Sequence, residues 1–431
     1  VRIPDPLTNI YHGVAPTRLP FSPGAAPGII PNATFTVTNV GNGTASAAPD
    51  VRVPEARDIQ LNASARNETV AILLGRNRVG AKLGRPLNIS GGSLLFPLLW
   101  GDGEHGVDAI ESITMGNKPL PANATVVHYD GTQTSPDSHL VTAMASIGVT
   151  WTSAMTGVAW SKVIIPPLDP AGELIDIGDF HAVIRGWRAH DPRSASVFAT
   201  PSTWIYTTNT ALLIARIVTR YLLPSPDAAF WTSVAAAADR CDQIVSGTTK
   251  RFTLNYVVLQ NETVESLVAK LSRSAGLKVV PEGASFRFVI DQPGTSVGVI
   301  NKSKWLDGSF SHAGKDVTER HNVVYVSYTE PNAAGTEWVT RIAPRGSDVP
   351  TVPASDVYRA VTLPAAWINS YQEALRYAQY EYGVSYLQDM TCAWTETADA
   401  AQYTVGDIRS LTEGPFTNKL IRITKHALAN F

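Results

Sequence analysis

Charge is the first thing this chain is short of. Only 17% of its 431 residues are Asp, Glu, Lys or Arg, against about 25% in an ordinary soluble domain. The signs nearly cancel: 35 basic and 37 acidic residues leave a formal net charge of -2. A chain so balanced has no global attraction for nucleic acid or for an anionic membrane. A surface poor in charge but rich in Thr, Ser, Asn, Gly and Pro suits a subunit that hides much of itself against neighbours. Cysteine is scarce too. Cys241 and Cys392 make no disulfide framework, and both sit among apolar neighbours, where cysteine behaves as a small buried hydrophobe. Long apolar runs are missing: Ala211 to Val218 falls far short of the roughly 20 residues of a membrane span, and Arg216 and Arg220 interrupt or bound it. No basic start followed by an apolar stretch marks a signal peptide, and with Val1 first, trimming of a few residues stays open. No His-Glu-x-x-His or phosphate-loop spacing is found, no serine-nucleophile motif is read, and no paired carboxylates stand in a cleft-like pattern.

What is present first suggests chemistry and then withdraws it. Eight Asn-x-Ser/Thr sequons, at Asn32, Asn42, Asn62, Asn67, Asn88, Asn123, Asn261 and Asn301, look like a secreted glycoprotein signal. With Asn, Ser and Thr all abundant and no export signal, they read as composition, although a secreted carbohydrate-binding glycoprotein stays open as an alternative. Asp102, Glu104, His105 and Asp108 crowd one turn. Hard-cation loops need oxygen ligands at rhythmic spacing with a terminal bidentate acid, which this turn lacks. Acids capping free backbone N–H groups explain it with less. Asp176, Asp179 and His181, with His190 and Asp191 beyond, are donor types that suit zinc or manganese. Yet His181 to Gly186 reads as a strand continued by Trp187, and its alternation spreads those donors over both faces. No catalytic, cofactor-binding or metal-binding residue is therefore assigned, no cofactor is expected, and the chain is read as not an enzyme. A metal-dependent cell-wall hydrolase is the competing class.

At this length one core is too few, and about two to four domains are expected. Residues 1–50 are rich in Pro and Gly with little periodicity, an extended arm that orders only against a partner or the body. Residues 51–165 form a first β-rich domain and 166–250 a strand–helix–helix domain. In the latter, Thr207 to Tyr221 reads as a helix capped by Asn209 or Thr208, and a second helix runs from Phe230 to Ser246. Residues 251–331 form a small α/β domain. There Thr253 to Leu259 alternates as a strand, and Asn261 or Thr263 caps an amphipathic helix through Leu271 that stops at Gly276. Pro281-Glu-Gly283 then turns the chain into Phe286–Ile290, and Asn322–Tyr328 closes the unit. Residues 332–431 return through a strand at Trp338–Arg341, a long helix from Asn369 or Ser370 to about Asp389, and final strands. Tyr371, Tyr377, Tyr380, Tyr382 and Tyr386 wrap too much of that helix for one stripe. Such a belt suits sugars, stacked bases or, more often, an interface.

The order of these features resembles a known family. Thr69–Gly80 (strand, then Arg-Val-Gly), Ile89–Phe96, Leu99–Gly106 and Ile113–Leu120 run in sequence. They are followed by Val183–Arg193 with its Asp-Pro-Arg, Ala237–Asp242, Arg320–Pro331 and Tyr403–Asp407. This series is similar to the hub proteins at phage tail tips: the tip attachment proteins of lambda-like siphophages and related hubs of other long-tailed phages and gene transfer agents. Each match is short; their order from about residue 69 to 410 carries the resemblance. Thr210 departs from it, standing where the family often has proline.

The resemblance implies a β-rich α+β fold, with tube-like β-barrel domains beside small α/β domains in a trimeric ring. It implies a structural virion protein at the distal end of the tail, made in the bacterial cytoplasm. Its partners would be two further copies, the distal tail protein ring, other tip or fibre proteins and the host envelope, with DNA passing without specific binding. Lambda-like tip proteins continue into receptor-binding regions, so host recognition is expected on another protein. A conduit for DNA should be neutral to acidic inside, because lumen arginines would hold phosphate. Arg185, Arg188, Arg193, Arg216, Arg220 and Arg376 are then expected outward or in subunit contacts. Deleting residues 1–45 is expected to leave a folded body with a cooperative thermal transition close to the parent's, while impairing assembly. Calorimetry showing a loss the size of a domain would overturn the arm.

Overall fold

The structure, a computed structural model, describes residues 35–36, 58–59, 70–84, 86–173, 175, 177–258, 262–300, 302–303, 305–332, 337–353, 356–388, 390–397, 402–413 and 416–426. The arm at 1–50 therefore lies outside the described residues, except that Phe35–Thr36 (β1) pairs antiparallel with Asp58–Ile59 (β2). The chain forms two compact units. The first holds residues 1–188, 204–207 and 255–261; the second holds 189–203, 208–254 and 262–431.

The first unit is built on one strand. Ile72–Leu74 (β3), Arg76–Gly80 (β4), Lys82–Leu83 (β5) and Leu87–Asn88 (β6) precede Leu94–Asp102 (β7), of which every residue after Leu94 is buried. A run of Leu, Phe and Trp with no polar alternation must be covered on both faces, and β7 is. Val107–Met115 (β8), Lys118–Pro119 (β9), Thr125–Tyr129 (β10), helix Ser138–Ala145 (α1), Val158–Ile165 (β11), Phe180–Ala189 (β12) and Ile205–Tyr206 (β13) complete the layers. One sheet runs β10-β11-β7-β5 with β6 on β7; the other runs β13-β12-β8-β9 with β4 on β12. Phe96, Leu98 and Trp100 meet Ile110, Phe180 and Ile184 in the core between the sheets. Leu95, Leu99 and Trp160 face the opposite way, onto Leu140 and Met144 of α1 and onto Trp151 and Met155. The first unit is thus three layers: sheet, sheet, helix with loop. The barrel expected from the resemblance is, among the described residues, a pair of open sheets. The β4–β5 run bridges them, the Ala81 N–H donating to Phe180 O at 2.8 Å. But β5 and β9 are only two residues long, and among the described residues no strand pairing joins the far edges.

Two pairings fix the remaining edge. Tyr256–Val258 pairs antiparallel with β3, and the Asn255 carboxamide accepts from the Arg76 N–H at 2.9 Å. The strand expected from Thr253 to Leu259 is therefore shorter and belongs beside β3, about 180 residues upstream; alternation identifies a strand but not its partner. At Gly186 a Cβ would sit 2.1 Å from the Leu73 carbonyl oxygen, and the Gly186 N–H donates to Gly75 O at 2.7 Å. Only glycine allows that approach.

The second unit is held by capped helices. Thr210–Tyr221 (α2) is capped by Asn209, which accepts from the N–H groups of Ala211 and Leu212. The Asn209 amide also donates to Ala238 O, at 2.9 Å, in Ala228–Asp242 (α3). Thr210 in place of proline therefore costs no cap. Thr263 caps Val264–Ser274 (α4), and Gly276, at φ 59°, ends it. The helix packs on the hairpin Leu277–Glu282 and Ser285–Ile290, which turns at Gly283 as expected. Tyr371–Tyr382 (α5) lies on Val323–Pro331, which pairs antiparallel with Trp338–Ala343 and parallel with Ala360–Ala365. The helix expected to reach Asp389 loses its α form at Gly383 and finishes as a π turn over Gly383–Leu387. Glycine propagates a helix poorly. Beyond it the Val384 carbonyl accepts from Lys315 Nζ and the Ser385 hydroxyl accepts from the His321 N–H, so outside groups take up the turn. A last small sheet, Val299–Ile300, Ile408–Glu413 and Phe416–Arg422, closes over Ile300, Trp305 and Leu411.

One acid in this unit is buried without a cation to neutralise it fully. Glu373 is 3% exposed and accepts from Thr253 N–H and Oγ1, both at 2.7 Å. Burial pushes its carboxyl up to about 7, against the Thr253 hydrogen bonds and Arg376, which lower it. The folded state therefore holds this proton more tightly than the unfolded state, whose value is near 4.5. The sign is fixed: the group's contribution is full below pH 4.5 and lost as pH rises through 7. Glu373→Gln keeps an acceptor for the N–H and loses the charge. It is expected to remove a decline on the order of 3 kcal/mol in unfolding free energy between pH 4.5 and 8, read by urea titration.

Candidate functional site

The outward face of β4, β12 and β8 carries the densest exposed charge of the first unit. Alternation sets β4 and β12: Val79, Ala182 and Ile184 go to the core, so Arg76, Arg78 and Arg185 face out. On β8, where Ile110 and Ile113 are both core, a register shift breaks the alternation, and the contacts of Asp108 and Glu111 with these arginines put them on the same face. The register sets Arg76 directly opposite Arg185, an unfavourable pairing by itself. Glu111 relieves it, with Oε2 2.8 Å from Arg76 Nη2 and Oε1 3.5 Å from Arg185 Nε. Asp108 takes Arg185 at 3.0 Å and Arg188 at 3.3 Å. Arg78 donates to Gly116 O and Asn117 Oδ1, and the Arg185 guanidinium lies over the Tyr206 ring, 5.3 Å from its centroid. Burial raises the Tyr206 hydroxyl to about 12, so it stays a neutral donor. Three arginines share two carboxylates on one open face, with Arg78 beside them. That arrangement has nothing to activate a nucleophile; it can take up a further anion.

The turn at Asp102–Asp108 comes apart as a ligand set. Asp102 is buried and caps the Glu104 N–H at 2.9 Å. His105 sits at φ 64° with its ring edge-on to Trp204 at 5.2 Å, and Asp108 belongs to the arginine face. The second set also separates. Asp176 lies outside the described residues. His181 is on β12 opposite Gly80 and Thr114; burial, and then Arg78, lower its pKa against Asp179. His190 is lowered by burial and lies edge-on to Trp231 at 4.6 Å, with Nδ1 2.9 Å from Ser196 Oγ. Among the described residues no three His, Cys, Asp or Glu side chains gather as a metal site would require. Cys241 is fully buried, and burial pushes its thiol up to about 12. Cys392 is free and half-buried beside Trp305. Six of the eight sequon asparagines lie outside the described residues; Asn88 and Asn123 are described, and Asn123 donates to Leu168 O.

One spacing contradicts the absence of a serine-nucleophile motif stated above. Gly294-Thr-Ser-Val-Gly298 does fit Gly-x-Ser-x-Gly. A nucleophile elbow joins a strand to a helix. Ser296 instead leads into the strand Val299–Ile300, donates to Gly298 O at 2.7 Å and accepts from the Ser410 N–H at 2.9 Å.

The tyrosine belt divides, with Tyr371, Tyr380, Tyr382 and Tyr386 all partly exposed. Tyr377 is buried, and the hydroxyls of Tyr371, Tyr380 and Tyr386 donate to Asp348, Asp291 and Asp356. The six arginines expected outward or in subunit contacts divide. Arg185 and Arg188 reach the surface, and Arg220 lies over Tyr221. Arg216 does not: it is 5% exposed in α2, whose remaining faces are apolar and covered. Arg376 donates inward to Arg251 O. Arg193 is the centre of the Asp-Pro-Arg turn. It donates to Asp191 from the backbone N–H, Nε and Nη2, and reaches Asp239 and Asp242 of α3 at 2.9 and 2.8 Å. Burial raises the Asp191 carboxyl, but the Arg193 hydrogen bonds outweigh it and the net direction is down.

No protein-family model matches the chain, and no curated protein matches it. Solved structures do. A chain in the virion of a native gene transfer agent particle aligns over 90% of this chain and 87% of its own, at a TM-score of 0.63 and 14% identity. The two chains share a fold. The 43 kDa tail protein of prophage MuSo2 from Shewanella oneidensis aligns over 80% of this chain and 89% of its own, 12% identical, at a TM-score of 0.29. The tail protein from Neisseria meningitidis MC58 aligns over 82% and 89%, 9% identical, at 0.31. Those two scores are too low to carry an argument. In this chain the Asp-Pro-Arg turn is a clamp on α3. Arg193→Ala leaves the carboxylate of Asp191, 9% exposed at its side chain, without its partner. The expected cost is about 2–3 kcal/mol, seen as a lower urea midpoint at unchanged slope.

Proposed function

We propose that this chain is a structural virion protein, the central hub at the distal tip of a phage-like tail. In this reading it joins the tail tube and distal tail protein to the tip and forms the conduit or closure through which DNA is delivered. The observation that carries the reading is the fold shared over 90% of the chain with a virion protein of a gene transfer agent. The ordered motifs support it, since they fall on strands and turns that build the layers. So does the low charge, which suits a subunit with neighbours on several sides. A non-enzymatic role agrees with His181 and His190 packed among neighbours and with Ser296 tied to backbone.

The partners in this reading are two further copies of the chain, the distal tail ring, other tip or fibre proteins and the host envelope. DNA passes without specific contact. Cryo-electron microscopy of the particle is expected to show three copies about one axis at the distal end of the tail. The purified chain is expected to bind duplex DNA no more tightly than the non-specific range of about 10⁻⁴ to 10⁻⁶ M at physiological salt. One or six copies in the particle would overturn the trimer, and tight salt-sensitive binding would overturn the passive conduit.

A further inference from the structure

The arginine face of β4, β12 and β8 has a surplus of positive charge, with Arg76, Arg78, Arg185 and Arg188 against Asp108 and Glu111. Its heads are accessible: the Arg76 and Arg185 side chains are 43% and 41% exposed. The same unit offers the opposite charge in one loop, whose last acid, Asp179, lies at the edge of this face beside His181. The loop from β11 to β12, residues 166–179, holds Asp169, Glu173, Asp176 and Asp179 and not one Lys or Arg. The loop is built, not slack. Asp169 N–H donates to Glu173 O at 2.8 Å, Ile175 N–H donates to Pro167 O, and Asp169 Oδ1 accepts from the N–H groups of Ala171 and Glu173. Ile175 and Ile177 turn into the core between the sheets, which leaves Glu173 and Asp179 exposed.

We propose that the arginine face receives the 166–179 loop of a second copy of this chain, making a head-to-tail contact between first units. The proposal rests on the ring-subunit reading above and names the surfaces that make the ring. Charge selects the occupant. A twofold contact of the face with itself would set arginine against arginine. A polyanion laid along the face would run over the carboxylates of Asp108 and Glu111. A short loop with spaced acids avoids both, placing carboxylates on guanidiniums that already share theirs. Because face and loop are different surfaces, the contact is heterologous and closes a ring if the rotation per subunit allows. Exposed ion pairs are individually weak and screened within about 8 Å at physiological salt, so the contact is expected to weaken with salt.

The test uses the full chain, with self-association measured by light scattering and incorporation measured in particles. Two charge-swapped variants are compared: Arg76→Glu with Arg185→Glu, and Glu173→Lys, whose side chain is exposed and whose loop keeps the Asp169 hydrogen bonds. Each alone is expected to weaken self-association at least tenfold. Combining the changes in one chain is expected to restore it, because every face again meets an opposite loop. Mixing the two variants is expected to restore pairwise association only, since a ring of three made from two variants keeps one like-charged contact. Arg76→Gln with Arg185→Gln, milder for the fold, is expected to give a smaller loss in the same direction, with thermal transitions reporting folding. If the parent associates and the swapped variants associate equally well, the contact is wrong while the ring reading stands. If the parent stays monomeric and particles hold one copy, the reading beneath it falls and the contact with it. Tight duplex DNA binding by the parent that is lost in the arginine variants would reassign the face to nucleic acid and overturn the proposal.

Discussion

Covering both faces of β7 is the requirement from which the first unit follows. Eight consecutive buried residues in one strand cannot be served by a single layer. The strand needs the second sheet on one side and α1 with its following loop on the other. Once both are in place, the second sheet has only its far face left for water. That face carries the arginines, Asp108 and Glu111, through alternation along β4 and β12 and a register shift in β8 that turns Glu111 outward. The surface proposed for assembly is thus a consequence of how a fully apolar strand is buried.

Scarce charge is spent in particular ways. Lys162 and Asp137, each 5% exposed at the side chain, meet at 2.6 Å, and Asp137 at the same time caps α1. Arg409 is paired with Glu396 at side-chain exposures of 2% and 6%, with its guanidinium 3.9 Å from the Tyr403 ring centroid. Arg273 donates twice to Glu381, joining α4 to α5. Pairs like these add little net stability over apolar replacements, yet removing one partner strands the other in a poor solvent. Their value here is geometric: each ties segments distant in sequence, or a cap to a strand, in one register.

Much of this was legible beforehand where local rules govern. The cap at Asn209, the stop at Gly276, the turn at Gly283 and the strand through His181 all follow from residue type and spacing. Partners were not legible. Nothing in Tyr256–Val258 names β3, and nothing in Arg216 distinguishes a buried arginine from a surface one in an apolar helix. Barrel closure was expected from likeness alone, and the two-residue strands β5 and β9 leave the sheets open. The arginine face had a readable signal, since Arg76-Asn-Arg78 sets two cations on one face of a strand and Asp108 and Glu111 lie in the next long strand but one. Their meeting needed the register. The buried acid Glu373 had none: in sequence it is an ordinary charge in the first turn of a helix.

The pairing of β3 with Tyr256–Val258 has a consequence in time. At about 5–20 residues per second, a ribosome that has made β3 needs on the order of ten to forty seconds more before the partner strand exists. Through that interval the nascent first unit presents an unmatched strand edge containing Leu73 and Leu74, the kind of edge that captures other chains. Synthesis in the cell is therefore when this molecule is most exposed to mispairing. Holding that edge until residue 258 has emerged is a task for chaperones or for the transient docking of nearby nascent segments.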